Sequence, residues 1–235
     1  MFAKKLSNRI LFFVTLNAVL YGVFTYLNVR DMYGFVADVL KYASIASCFV
    51  LSLLAHERPW RDRDAKLQIV CFLFTLGADF ALLFTDRFAL GVTIFFGAHL
   101  TALLRYAPRP LFLVGLAISA YHIACAYALP MLYPADIPQA DVLCVGYGIL
   151  IFLVTAAAFR CKQPKANNAL SRLGMCLFIA CDVHVALYNN LPPDAPYLRT
   201  AFLLMWVFYL PAQTMLSLSA ARITRPKRMR KNSMA

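Results

Sequence analysis

Charge is scarce in this chain. Only 14% of its 235 residues are Asp, Glu, Lys or Arg, where a soluble globular domain carries about a quarter. At 62% hydrophobic residues and a mean hydropathy of +0.66, an ordinary water-soluble fold is excluded. Several chemical signatures are missing as well. The seven cysteines (48, 71, 125, 144, 161, 176 and 181) contain no C-x-x-C pair and form no disulfide framework, so they read as small apolar packing residues. No H-x-x-x-H or H-E-x-x-H spacing puts two metal ligands on one helical face, no G-x-S-x-G presents a serine nucleophile, and no glycine-rich loop offers to cradle phosphate.

What the chain does have is long apolar runs. Eight of them, near 10–28, 34–55, 67–85, 88–105, 110–129, 142–159, 171–189 and 197–220, are each about as long as a membrane-crossing helix requires. They are continuously apolar and rich in Leu, Ala and Phe, without the alternation of a barrel strand. The polar interruptions are short and carry turn chemistry, as in "RYAPRP", "RCKQPKANN" and "NNLPPDAP". Lys4, Lys5 and Arg9 precede the first run, but it exceeds a signal-peptide core and has no clear cleavage site, so it is expected to persist as a signal anchor. The expectation is an all-α, multi-pass integral membrane protein: one eight-helix transmembrane domain over 1–235 with a short basic tail at about 221–235.

The distribution of the +12 formal charge sets an orientation. Nineteen Lys and Arg residues fall at the two ends and in the even-numbered connections, whereas the odd-numbered connections hold only Arg30, Arg87 and Arg199. By the positive-inside rule both termini are expected to be cytoplasmic. The terminal "RITRPKRMRKNSMA" reads as a topogenic tail that attracts anionic lipid headgroups. It lacks the interleaved aromatics of a nucleic-acid surface, so no nucleic-acid partner is expected.

Ionisable groups inside the apolar runs cost roughly 2.5–3.5 kcal/mol each at mid-helix, which makes each one a functional candidate. At 1.5 Å per residue, Asp38, Lys41, Asp79, His122 and Asp182 fall roughly 6–10 Å below the outer helix ends, and His99 roughly 16 Å, with Tyr209 and Gln213 at or below that depth. Helices running in opposite directions thus bring carboxylates, an amine and imidazoles into one slab of the outer half. Asp38 and Lys41 share a helical face and can neutralise each other or, together, serve a site in which the lysine holds a lipid phosphate. His122 reads as a hydrogen-bonded packing residue, and His184 points away from Asp182. Asp79 and Asp182 have no basic residue at i±3 or i±4, so each must find a partner on another helix or stay protonated. A carboxylic acid kept neutral is a candidate general acid.

The stretches "LKYAS" with Lys41, "LGADFALL" with Asp79, "FFGAHL" with His99, "LGMCLFIACD" with Asp182, and "FYLPAQ" with Tyr209 and Gln213 follow one another in an order that resembles the YhhN-type lysoplasmalogenase family of eight-helix membrane proteins. Tyr42 stands where that family has Pro, Ala78 separates Gly77 from Asp79, Cys181 replaces a Ser, and the Tyr that would follow His99 is missing. The resemblance implies hydrolysis of the vinyl ether in a lysophospholipid of the ether-lipid class, with no metal and no organic cofactor. It implies Asp79, Asp182 and His99 as catalytic residues, and Lys41, Asp38, Tyr209 and Gln213 as substrate-binding ones. Such a site needs a cavity between helices, and one that holds Asp79 and Asp182 together is expected for hydrolysis. A transporter or lipid-binding protein that uses the same acids for proton or cation coupling is one alternative, and a purely structural membrane protein whose hydrogen-bonded acids lock helices together is another.

Overall fold

The computed structural model describes residues 2–32, 34–55, 59–85, 87–132, 138–162 and 165–221. All but the first residue of the expected basic tail lies outside them. Eight α-helices account for almost all of the described chain: α1 (Phe2–Val29), α2 (Phe35–Leu54), α3 (Arg63–Phe84), α4 (Phe88–Tyr106), α5 (Arg109–Leu132), α6 (Gln139–Arg160), α7 (Lys165–Asn190) and α8 (Leu198–Leu218). Each is long and apolar enough to cross a bilayer. Helices are what such sequence must form in lipid, because no water is present to satisfy an unpaired backbone.

Several helices begin earlier than hydropathy alone places them. α3 starts at Arg63 because the Asp62 carboxylate accepts a 3.0 Å hydrogen bond from the Asp64 N–H, which caps the free amides of the first turn. α1 ends at a turn in which Asp31 takes the left-handed conformation, φ 55°, one that Asp tolerates better than most residues. The Arg199 guanidinium donates to the Val29 carbonyl at 2.7 Å and to the Asp31 carboxylate at 3.1 Å, seating the start of α8 on the end of α1.

Helices consecutive in the chain run antiparallel. The start of α3 is paired with the end of α4 through Asp64 and Arg105, and Asn167 at the start of α7 donates to the Ser219 and Ala221 carbonyls just past α8. The eight helices alternate in direction, so the start of α1 and the end of α8 lie on one side, the terminal face. Helices α2, α3, α4, α6, α7 and α8 pack in sequence and close into a ring, because α8 also contacts α2. α1 flanks the ring at α2 and α8, and α5 flanks it at α4 and α6. α3 and α7 therefore lie opposite each other.

Small residues allow the close approaches. The His122 ring packs against Gly146, and its Nδ1 bonds the Ile118 carbonyl at 2.9 Å, so His122 is a packing residue as its sequence setting suggests. Gly146→Ala would drive a methyl group into that ring, whereas a methyl at Gly148 meets nothing within 4 Å. Gly146→Ala is expected to lose about 1–3 kcal/mol from overpacking, and Gly148→Ala to be neutral, when unfolding is followed in mixed micelles.

Candidate functional site

Each of the six ring helices contributes a polar side chain to one connected cluster. Asp79 on α3 is buried, and the Tyr209 hydroxyl of α8 donates to its carboxyl group, 2.7 Å from Oδ2 and 2.9 Å from Oδ1. Asp182 on α7 is half-buried and accepts from the Tyr147 hydroxyl of α6 at 2.8 Å. Each acid has thus found its partner on another helix, and in both cases that partner is a phenol rather than a cation.

An aromatic path joins the two acids. The Tyr209 ring meets Phe178 at 5.5 Å, Phe178 meets His99 at 5.1 Å and His99 meets Tyr147 at 5.0 Å, all edge to face. His99 sits at the centre of this path, 4% exposed. Its Nδ1 lies 3.1 Å from the Phe95 carbonyl. A neutral imidazole that donates there keeps Nε2 as an acceptor.

Lys41 enters from α2. Its ammonium bonds Asp38 at 2.9 Å and lies over the Trp206 ring at 4.7 Å and the Phe202 ring at 5.2 Å. Asp38 is the more exposed member of the pair, 30% against 4% for the lysine side chain. The pair neutralises itself, and the aromatic faces of α8 further stabilise the buried cation. The Trp206 indole N–H is buried beside it without an acceptor among the described residues.

The cavity does not lie where the acids alone would put it. It opens between α3, α4, α7 and α8 on the terminal-face side of His99, and Gln68, Thr75, Tyr106, Phe178 and Gln213 help to line it with His99. Neither Asp79 nor Asp182 is on its wall. Of the residues singled out in the sequence, the structure joins Asp79, Asp182, His99 and Tyr209 through hydrogen bonds and ring contacts, places Gln213 on the cavity and leaves Asp38 at the rim. His184 stays apart, its Nε2 3.1 Å from the Tyr197 hydroxyl.

Sequence reasoning missed Tyr147, Phe178, Trp206 and Arg105. Tyr147 carried a signal, a phenol between two glycines in "VGYGIL", since a buried hydroxyl must find a partner. Phe178 carried none, being one apolar residue among many. Arg105 counted only as a topogenic charge, yet its side chain is 1% exposed and bidentate to Asp64 at 2.6 and 3.0 Å, and it also donates to Gln68, Tyr106 and Ser219. Among the described residues no three His, Cys, Asp or Glu side chains gather as a metal site would require.

Neither a curated protein nor a solved structure matches the chain. A family model described as the YhhN family matches residues 36–220. That span runs from the second residue of α2 past the end of α8 and takes in every ring helix, so the eight-helix chain belongs to the YhhN family.

Proposed function

We propose that this protein hydrolyses the vinyl ether bond of a lysoplasmalogen inside the membrane, releasing a fatty aldehyde and a glycerophospho head group. The observation that carries this reading is the pair of intramembrane carboxyls, each held by a tyrosine and joined through His99. A vinyl ether breaks when a proton is added to its β-carbon and water attacks the resulting oxocarbenium ion. The reaction therefore needs an acid and an anion close together. Asp79 and Asp182 divide those roles between them. Tyr147 and Tyr209 fix the orientation of each carboxyl and lend it a hydrogen bond.

Lys41 and the unsatisfied Trp206 N–H offer donors to the phosphate near the rim of the ring. The hydrocarbon lies along apolar helices, which suits a single-chain lipid. The charge asymmetry of the connections supports a cytoplasmic terminal face, so the acids would serve substrate from the opposite leaflet.

The test is aldehyde release from choline and ethanolamine lysoplasmalogens by purified protein in mixed micelles, with and without a chelator. Release that survives chelation supports the acid mechanism, loss on chelation overturns it, and no release from folded protein removes the reaction. In the same assay Tyr147→Phe and Tyr209→Phe each keep the ring and remove one donor. Each is expected to slow release by about tenfold to a hundredfold, the effect of one hydrogen bond to a charged group, and to cost about 1–3 kcal/mol of stability because a carboxyl loses its partner.

A further inference from the structure

The cavity beside His99 measures about 20 Å³, room for one ordered water. Thr75 and Phe178 line it, and Asp79 and Asp182 each follow one of them by four positions. The carboxyls therefore stand one helical turn, roughly 6 Å, beyond the cavity. Most of its wall is apolar, and most of the polar atoms it does carry are engaged. Gln68 Oε1 and the Tyr106 hydroxyl accept from Arg105, Cys71 Sγ donates to the Ala98 carbonyl, and Thr75 Oγ1 donates to the Cys71 carbonyl.

Two groups remain. Gln213 is 2% exposed and its Nε2 has no acceptor among the described residues, a state that a buried amide does not hold cheaply. His99, with Nδ1 turned to Phe95, keeps Nε2 as an acceptor. A donor and an acceptor on one small cavity are the two partners a bound water requires.

Building on the ether hydrolysis proposed above, we infer that this cavity binds the attacking water, with Gln213 as its positioning residue and His99 Nε2 as its base. An aspartic acid delivers its proton to the β-carbon and becomes a carboxylate. The water oxygen then bonds to the α-carbon of the cation, and one of its protons passes to His99 Nε2. In the resulting hemiacetal the C–O bond to the glycerol breaks. The glycerol oxygen takes the imidazolium proton, and the hemiacetal hydroxyl returns its proton to the carboxylate. One ether and one water give one aldehyde and one alcohol, and both protein groups end as they began.

The test compares wild type with Gln213→Leu, which removes the donor, and Ala102→Leu, which fills the cavity from its α4 wall. Reactions run in D₂O to partial conversion, and the recovered ether is examined for vinylic deuterium. With the water in place, capture outruns loss of the β-proton, so wild type returns unlabelled ether. Both variants are expected to release aldehyde roughly ten- to a hundredfold more slowly and to return ether labelled at the β-carbon, because the cation now reverts. Unfolding in mixed micelles establishes that each variant is folded before its rate and labelling are compared. Retention of release within about twofold of wild type, or slowing with unlabelled ether in both variants, overturns the water site and leaves the ether hydrolysis standing. Wild type that releases no aldehyde overturns both.

Discussion

Asp79→Asn and Asp182→Asn are each expected to reduce aldehyde release by about 10²–10⁴-fold, the range that general acid–base catalysis contributes. The asparagine variants are the informative ones, because they keep shape and acceptor. At Asp79 the Tyr209 hydroxyl still donates to the amide oxygen, and at Asp182 Tyr147 does the same, so the links that tie α3 to α8 and α6 to α7 survive. What disappears is a transferable proton at one site and a charge that stabilises the cation at either. Because the proposed reaction needs both the acid and the anion, both substitutions are expected to lower the rate. Full activity in either variant, with unchanged unfolding, would limit that acid to joining helices.

The largest effect on stability is expected at the terminal face. Arg105 is an arginine in an apolar helix with its side chain 1% exposed, and Asp64 supplies its counter-charge from α3. Asp64→Ala takes the counter-charge from the buried guanidinium and is expected to cost about 2–4 kcal/mol, less than for a fully buried pair because the Asp64 side chain is itself 36% exposed. Combining it with Arg105→Leu removes the stranded charge along with its partner. The double variant is therefore expected to be more stable than Asp64→Ala alone, since desolvation offsets much of what an intact buried pair gains. Reversible unfolding of the single and double variants in mixed micelles checks both statements. Equal losses in Asp64→Ala and the double variant would mean that the stability resides in the neutral bonds to Gln68 and Ser219 instead.

The two regions differ in how much of them could be read from the chain. Asp79, Asp182 and His99 stood out because a polar group in lipid is expensive wherever it faces, and the missing basic neighbours at i±3 and i±4 already implied partners on other helices. Which partners could not be read. Tyr147 and Tyr209 lie 35 and 130 positions from the acids they serve. Arg105 looked like one more charge at a helix end, and only the approach of α3, α4 and α8 turns it inward. A cavity holding both acids was the natural expectation. The structure puts the acids one turn above it and gives its wall to His99 and Gln213.

Composition and hydropathy by themselves determined that this is an all-helical chain with eight spans, because in lipid only helices and closed barrels satisfy every backbone amide, and long apolar runs without alternation leave the helix. The tertiary structure decided which faces of those helices look inward. Lipid tails and protein interiors are equally apolar, so the sequence of a membrane helix carries little contrast between its lipid-facing and protein-facing sides. Closure of α2, α3, α4, α6, α7 and α8 into a ring is a property of packing between segments. That closure gathers Lys41, Asp79, His99, Tyr147, Asp182 and Tyr209 from six helices into one interior.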